Sequence, residues 1–516
     1  MQQLQDPAEA AQWLRARVRG ALHSDSRRVG PGDAFLAWPG AQGDGRDHVA
    51  RAMAQGAQAC IVEHAAAQAW DFAQQPWAPQ VASMEQLKAR AGPIASNFHG
   101  APSGSLALLA VTGTNGKTSS SWWLAQALSQ LRLVAPVPCG LIGTLGVGRV
   151  PTGGTAASGD TGSGPLQATG LTTPDALELQ QWLRRFVDQE LRACAIEASS
   201  IGLAEHRLDG SQIHTAVFTN LTQDHLDYHG SMVAYGQAKA ALFAWAGLRS
   251  AVLNIDDAYG AGLAASLDSR SLDLWTTSAL GPARLRASAI EHAAQGLSFE
   301  LHEGAQQHRL QTRLIGGYNV SNLLGVIGTM RSLGVPLAAA VEACTRLAPV
   351  PGRMDCVALP GQPLVVVDYA HTPDALDQAL QALRPLARRR AGRLWCVFGC
   401  GGDRDPVKRP LMGAIASRQA DQVVLTSDNP RGEPPEAIVA QILRGIAPDA
   451  AVTVELDRAL AIARSVAQAR SGDVLLVAGK GHENYQEIAG ARRPFLDRRE
   501  VEQALQLRAA ATGVLS

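Results

Sequence analysis

Between Thr112 and Thr118 the chain reads Thr-Gly-Thr-Asn-Gly-Lys-Thr, and each part of that run suits a polyphosphate. Gly113 and Gly116, with Thr114 and Asn115 between them, let backbone N–H groups turn inward around phosphate oxygens, and a helix starting directly behind adds partial positive charge. Lys117 can reach the β- and γ-phosphates of a nucleotide, and the Thr118 hydroxyl can ligate Mg2+. The general phosphate-loop pattern has another glycine five residues before Gly116; Val111 stands there, so this is a shorter form. An ordinary glycine turn is the plainer reading, but Gly-Lys-Thr lies where an apolar run meets a helix-like segment. Farther along, Glu197 closes an apolar run and offers a hard oxygen ligand for Mg2+; a solvated strand end is the alternative. Asp224, His225, Asp227 and His229 form a polar cluster. Asp428-Asn429-Pro430-Arg431 supplies an acid for an ammonium, a guanidinium for a carboxylate and a proline to stiffen the turn, although a bland β-turn would read similarly.

The hydrophobic pattern supplies the scaffold. The apolar run 106–111 predicts a buried strand, the glycine turn follows, and 118–131 predicts a helix, which is the opening of an α/β nucleotide domain. Further buried strands are expected at 194–197, 215–219 and 251–255, with helical stretches between most of them, hence a parallel sheet. A second alternation begins near Val350, with strands expected at 364–368, 394–399, 422–426 and 473–478 and helices at 374–388, 409–418 and 435–446. That doubly wound layout places a ligand at the carboxyl ends of its strands, where loops 399–408, 427–433 and 479–483 fall. The turn-rich stretch 99–104 reads as a linker, and 152–164, rich in Gly, Ser, Thr and Ala, as a flexible surface insertion.

A chain of 516 residues is long for one core and suggests two to four domains. Apolar residues at 46% and charged residues at 18% fit a globular protein. The 46 Lys and Arg balance the 46 Asp and Glu, which argues against a nucleic-acid or anionic-membrane partner and leaves open only a local basic patch. No apolar run approaches the roughly 18 residues of a membrane span, and the first residues lack the basic and apolar regions of a signal peptide. The seven cysteines show no paired spacing, so neither a disulfide framework nor a zinc site is expected, and a reducing cytoplasm is the simplest location.

The form Gly-Thr-Asn-Gly-Lys-Thr resembles the Mur ligases and their relatives, the folylpolyglutamate synthetases. Further matches follow in order: Thr172-Thr173-Pro174, Glu197-Ala198-Ser199-Ser200, the run from Thr219 to His229, Ala238-Lys239, Gly317 to Asn322, Gly352-Arg353-Met354, Asp368 to Pro373, Gly401 to Asp405, Asp428 to Arg431, and Gly479 to Glu483. Each is weak alone; the ordered set is specific and spans nearly the whole chain. It is most similar to the branch that adds diaminopimelate. The resemblance implies an α/β fold of three domains: 1–103 binding a UDP-sugar, 104–348 a central P-loop, parallel-sheet, ATPase-like domain, and 349–516 a Rossmann-like domain for the amino acid. The implied reaction is ATP-dependent addition of meso-2,6-diaminopimelate to UDP-N-acetylmuramoyl-L-alanyl-D-glutamate through an acyl phosphate. It would be a cytoplasmic step of peptidoglycan precursor synthesis, performed by a monomer.

The resemblance also implies roles. Lys117 would neutralise phosphate charge, Thr118 and Glu197 would hold Mg2+, and His225 would serve a second metal position. Lys239 would carry a carbamate derived from CO2, turning a cation into a metal-binding group; a surface lysine in an Ala-rich helix is the alternative reading. Asn319, Arg353 and Asp368 would meet ATP, the last at a ribose hydroxyl. The UDP-substrate would be held by Ser26, Gln42 and Gly43 and by Thr172, Thr173, Ser199, Glu205 and Arg207. Thr172-Thr173-Pro174 also reads as a helix cap with proline at the first helical position, and Asp368 as a helix-capping acid. Two residues depart from the family: Ile201 replaces a common His, and Glu205 stands where Gln is common, an awkward carboxylate beside an anionic substrate. Diaminopimelate would be bound by Arg404, Asp428, Asn429, Pro430, Arg431, Gly479 and Glu483.

Arg431 separates diaminopimelate from lysine, because lysine would leave that guanidinium desolvated without a partner. Sites built around a polar group reject analogues lacking it by roughly 10⁴–10⁵. The rivals are a related ligase for lysine or glutamate, a phosphate-loop ATPase acting as switch or motor, and an inactive binding module. The last is disfavoured by the presence of Lys117, Thr118, Glu197 and Lys239 together.

Overall fold

The apolar run ahead of the glycine turn forms the strand Ala107–Thr112, and the helix behind it runs Lys117–Ser129. The computed structural model describes residues 1–40, 43–152, 166–293 and 296–511. Gln42 and residues 153–164 of the expected insertion lie outside the described residues. The chain divides into two compact units. One comprises Met1–Leu221, Tyr228–Thr277 and Gly325–Ala343; the other comprises Thr222–Asp227, Ser278–Leu324 and Cys344–Ser516.

In the first unit the strand order is Asp273–Ser278, Ser250–Asn254, Thr215–Phe218, Ala107–Thr112, Ala193–Glu197, Cys139–Gly143 and Gly146–Gly148. All these pairings are parallel except the last, as the continuous apolar runs require of strands buried on both faces. The helix Ala176–Asp188 shows why such segments form. Asp175 accepts the N–H groups of Leu177 and Glu178 at 2.9 and 3.0 Å, and Leu179, Trp182, Leu183 and Phe186 then recur on one buried face. Asp175, not Thr173, is therefore the cap, because the Thr173 hydroxyl is taken by the Glu197 carbonyl at 2.7 Å. A second sheet, all parallel, orders Gln2–Gln3, Val81–Met84, Ala59–Glu63, Ala34–Ala37 and Leu22–His23.

The stretch 99–104 is a packed turn rather than an open linker. Ala101 N–H closes on Ser96 O at 2.7 Å, Pro102–Ser105 form a 3-10 turn, and the buried Ser103 hydroxyl accepts Gln212 N–H at 2.9 Å. Gly, Pro and Ser serve a satisfied turn as readily as a linker.

The second unit contains the doubly wound sheet, ordered Asp355–Val357, Leu364–Asp368, Val474–Ala478, Leu394–Phe398, Gln422–Leu425 and Val452–Val454. Only the first pairing is antiparallel. Helices Pro373–Arg389, Lys408–Gln419 and Pro435–Leu443 cover one face through Leu380, Met412 and Ile442. Helices Arg458–Gln468 and Asp497–Ala511 cover the other through Ile462 and Leu505. The third helix ends earlier than expected, where Gly445 N–H turns back to Ile442 O at 3.0 Å. An antiparallel meander, Leu285–Ala293, Gly296–Glu303 and Gln306–Thr312, is not among the expected strands. Its signal was the alternation of buried Leu297, Phe299 and Leu301.

Beneath this sheet's ligand-side loops lies a fully buried ion pair. Arg458 and Asp497 are both 0% exposed and meet through two bonds of 2.7 Å, while the same guanidinium donates to Ala478 O at 2.9 Å and Ser427 O at 3.3 Å. One cation thus fixes the ends of two strands. Removing one partner of such a pair destabilises by about 3–5 kcal/mol because the other charge stays buried. Asp497→Ala should therefore lower the urea-unfolding free energy by about that amount, and Arg458→Met/Asp497→Leu by much less; equal losses would mean that packing, not charge, makes the site sensitive.

Candidate active site

The phosphate loop is held open by its own neighbours. Gly113 has φ 145°, and a Cβ there would lie 1.9 Å from the Thr219 hydroxyl, so only glycine fits. Thr219 donates to Asn115 O at 2.6 Å; Asn220 accepts Asn115 N–H at 2.9 Å through its side chain and Thr114 N–H at 2.9 Å through its carbonyl. Gly116, with φ 86°, ends the loop at the helix start. Lys117 Nζ donates to Gly113 O and Thr114 O at 2.9 and 2.8 Å, which lays the ammonium along the loop.

Glu197 joins this loop to the next cluster. Its buried carboxylate accepts the Thr118 hydroxyl at 2.8 Å, the Thr144 N–H at 2.8 Å and the Thr144 hydroxyl at 3.2 Å. Thr144 Oγ1 also lies 3.1 Å from Thr172 Oγ1. Thr173 Oγ1 bonds Ser199 Oγ at 3.0 Å, and Arg207 donates to Thr173 O at 3.0 Å. Thr118, Glu197, Thr172, Thr173, Ser199 and Arg207 are therefore brought together, with Thr144 added by the structure.

Hydroxyls and one carboxylate are hard oxygen donors, the set that suits Mg2+ completed by water and substrate phosphate. Among the described residues no three His, Cys, Asp or Glu side chains converge into a metal cage.

Lys239 is no surface lysine. It is 1% exposed, donates to Gly113 O at 2.8 Å, and its Nζ lies 4.3 Å from the centre of the Tyr235 ring. Tyr235 OH lies 3.1 Å from Thr114 Oγ1. Lys117 and Lys239 thus converge on one carbonyl.

Ser26 is buried in a 3-10 turn capped by Asp25, which accepts Arg27 N–H at 2.9 Å. The Arg27 hydrogen bonds hold the Asp25 pKa down at about 2. Gly43 is exposed. Glu205 meets Lys88 Nζ at 2.6 Å and accepts the Tyr228 hydroxyl at 2.5 Å. Burial alone would raise its pKa; the bonds from Lys88 and Tyr228, with the nearby Arg207 charge, hold it below the ordinary glutamate value.

In the second unit, the Arg353 guanidinium lies 4.4 Å from the centre of the Tyr369 ring. Asp368 accepts Met354 N–H at 2.7 Å and Ala370 N–H at 2.8 Å, so it clamps a loop and does not cap the following helix, which Thr372 caps. Burial raises the Asp368 pKa against the opposing charge of Arg353. Asn319 is buried and donates to Ile315 O at 2.6 Å. His225 has φ 52°, its N–H bonds Asp224 at 2.9 Å, and its ring is exposed.

The three loops expected at the carboxyl ends of the strands do meet. Arg431, with φ 53°, donates to Gly402 O at 2.8 Å. Gly401 admits it, since a Cβ there would stand 2.9 Å from Arg431 Nη1, with Arg404 Cγ at 3.7 Å. Asn429 Nδ2 donates to Glu483 at 2.7 Å, and a Cβ on Gly479 would fall 2.3 Å from Asp428 Oδ2. Pro430 O accepts Glu433 N–H at 3.0 Å, closing the turn. Two guanidiniums and two carboxylates thus belong to one loop cluster.

Sequence reasoning gave no role to Thr144, Asn220, Tyr235, Lys88 or Tyr228. Asn220 and Tyr228 lie inside the quoted run 219–229, so a signal existed; Thr144 and Lys88 carry none, because their partners are distant in sequence.

Three family models match the chain: Mur ligase family, catalytic domain, over residues 21–94; Mur ligase middle domain over 111–330; and Mur ligase, glutamate ligase domain, over 352–481. A protein of Acidovorax sp. (strain JS42) named UDP-N-acetylmuramoyl-L-alanyl-D-glutamate--2,6-diaminopimelate ligase is 57% identical, the alignment covering 97% of each chain. One of that name from Janthinobacterium sp. (strain Marseille) is 47% identical, again over 97% of each. A solved structure of that name is 36% identical with TM-score 0.63, covering 95% of each chain. The ligase MurF from Thermotoga maritima in complex with ADP shares the fold, with TM-score 0.64 at 17% identity over 97% of this chain and 99% of that one.

Asn220 makes two side-chain bonds to Asn115, at 2.9 and 3.2 Å, each worth about 1 kcal/mol net. Asn220→Ala should weaken ATP binding by about ten- to thirtyfold in calorimetric titration. Unchanged affinity would mean that the loop keeps its shape without this brace.

Proposed function

The chain belongs to the Mur ligase family of ATP-dependent ligases, and on that premise we propose that it joins meso-2,6-diaminopimelate to the D-glutamyl carboxylate of UDP-N-acetylmuramoyl-L-alanyl-D-glutamate, a step of peptidoglycan precursor synthesis. The observation that carries this reading is the position of Glu197. It receives the phosphate-loop hydroxyl of Thr118, and through Thr144 it adjoins Thr172, beside the Thr173, Ser199 and Arg207 cluster. That continuity would set a γ-phosphoryl group bound at the loop beside an acceptor carboxylate bound at the Thr173 cluster, which is the arrangement an acyl phosphate needs.

The carboxylate oxygen attacks the γ-phosphorus, ADP leaves, and the amine of diaminopimelate then displaces phosphate from the acyl carbon. Two anions must approach each other, so positive charge and hydrogen-bond donors dominate catalysis. Lys117 and the loop N–H groups bind the triphosphate. Thr118 and Glu197 would hold Mg2+, which when bound supplies charge neutralisation at the phosphates; His225 would serve a second position. Asn319, Arg353 and Asp368 would hold the nucleotide. The first residues, through Ser26, Gln42 and Gly43, would take the UDP moiety, and Thr172, Thr173, Ser199, Glu205 and Arg207 the muramoyl-dipeptide. The C-terminal doubly wound region would take the amino acid. Glu205 need not repel that substrate, because Lys88 and Tyr228 already bond it.

A carbamate on Lys239 is supported by electrostatics. Two ammoniums bonded to the same carbonyl oxygen, at 2.9 and 2.8 Å, repel each other by roughly 3 kcal/mol at an effective dielectric near 20. Carbamylation would replace that repulsion with attraction and add a hard oxygen donor near the loop. Arg404 and Arg431 favour a substrate whose far end carries a carboxylate; Asp428, Asn429, Pro430, Gly479 and Glu483 complete the pocket. No helix among the described residues is long and apolar enough to cross a membrane.

ADP release with the muramoyl-dipeptide nucleotide and each amino acid in turn tests the reading. Diaminopimelate should support turnover, and lysine should be worse by orders of magnitude; comparable rates with lysine would sink the specificity. Arg431→Ala should chiefly raise the diaminopimelate KM. Lys239→Ala should lose activity that small carboxylates such as formate partly restore, whereas full activity in that variant would reject the carbamate.

A further inference from the structure

Lys480 is the one charged residue of the quoted run Gly479 to Glu483 besides Glu483, and the reaction above gives it no task. It is 0% exposed. A buried ammonium is costly unless its donors are taken, and two of its three are: Nζ donates to Asn429 Oδ1 at 2.9 Å and to Glu483 Oε2 at 3.0 Å. Its charge also lies 5.6 Å from the centre of the Tyr485 ring. The triangle closes because Asn429 Nδ2 donates to the same Glu483 oxygen at 2.7 Å.

This geometry determines the orientation of both neighbours. An amide can present either its oxygen or its nitrogen; an ammonium accepts nothing, so Asn429 must turn Oδ1 toward Lys480. Glu487 N–H, at 3.0 Å from the same oxygen, enforces that choice from the other side. The Asn429 nitrogen is thereby directed at Glu483. With Oε2 engaged twice, Glu483 keeps Oε1 for a further donor. The charge balance changes as well. Asp428, Glu483 and Lys480 together carry one negative charge instead of two, set against Arg404 and Arg431.

We infer that Lys480 is a positioning and specificity-determining residue of the amino-acid pocket. It fixes the Asn429 amide, presents one Glu483 oxygen to the substrate ammonium, and limits the negative charge that would otherwise favour a net-cationic amino acid over a zwitterionic one. The inference deepens the proposed function and rests on it for the location of the pocket.

Steady-state kinetics of the full-length enzyme test it. Lys480→Met should raise the diaminopimelate KM at least tenfold, leave the KM values for ATP and the nucleotide acceptor within twofold, and lower the diaminopimelate-to-lysine preference at least tenfold. A merely structural lysine would shift all three KM values together and leave the preference unchanged, and that result overturns the inference. Should Lys480→Met not fold, Lys480→Gln, which removes the charge but keeps an amide donor for Glu483, is read by the same three KM values and the same preference. That variant should lower the diaminopimelate-to-lysine preference at least tenfold with the KM values for ATP and the acceptor within twofold; any smaller change in preference overturns the inference. Failure of the proposed function itself is distinguishable: wild-type enzyme would then form no amide with diaminopimelate, and the same KM comparison would be made with the amino acid it does use.

Discussion

A carboxylate withdrawn from water requires donors on every side, and the donors of Glu197 organise the candidate site. It is 1% exposed, sits at the end of a central parallel strand, and gathers Thr118 and Thr144. The strand Ala107–Thr112 lies beside it in register, Val111 against Glu197, so the loop that follows one strand opens at the carboxylate that ends the other. The Thr172–Thr173 segment is drawn in because Thr173 bonds the Glu197 backbone and Thr144 touches Thr172. Three segments far apart in sequence thereby share one set of hydrogen bonds. Any substrate anion placed there meets hydroxyls and N–H groups that are already oriented, so little reorganisation accompanies reaction.

The second unit solves the same problem with cations. Its strands end in loops whose carbonyls would otherwise be free to drift, and buried guanidiniums hold them. Arg458 takes the carbonyls of Ser427 and Ala478, and Arg409, 1% exposed, takes Gly401 O at 3.0 Å while pairing with Glu433 at 2.7 Å. Planar forks suit this work because each donor has a fixed direction. The loops that carry Arg431, Asn429 and Glu483 are thus anchored by buried guanidiniums, which would give a ligand pocket there its precision.

Much of this was legible in the sequence. Continuous apolar runs predicted four strands of each of the two larger sheets to within a residue, since burial on both faces leaves no alternation to misread. Cys139–Gly143, Gly146–Gly148, Asp273–Ser278, Asp355–Val357 and Val452–Val454 were not among the expected strands. The glycine turn between the strand Ala107–Thr112 and the helix Lys117–Ser129 was legible because its signal is local: glycines, a lysine and a threonine in one turn. What escaped was non-local. The meander 285–312 was hidden by its mixture of polar and apolar residues, although the period-two signal of Leu297, Phe299 and Leu301 was present. The turn 99–104 has a linker's composition and a core's packing. Thr144 has no motif, and its importance exists only because the fold sets its N–H and hydroxyl against Glu197.

Glu205 shows the limit most sharply. Read alone, a carboxylate among residues expected to bind an anionic substrate contradicts the chemistry expected there. In the fold, Lys88 from the helix Leu87–Phe98 and Tyr228 from the helix Leu226–His229 both reach it, and Arg207 stands near enough to lower its pKa further. Whether a charge disturbs a site depends on the sum of what surrounds it, and that sum is set by tertiary contacts. A glutamate in place of a neutral amide is therefore acceptable only together with its distant lysine. The two positions behave as one unit: a change that removes the ammonium alone leaves the carboxylate without its counter-charge, while a change that removes both leaves the local field nearly as it was.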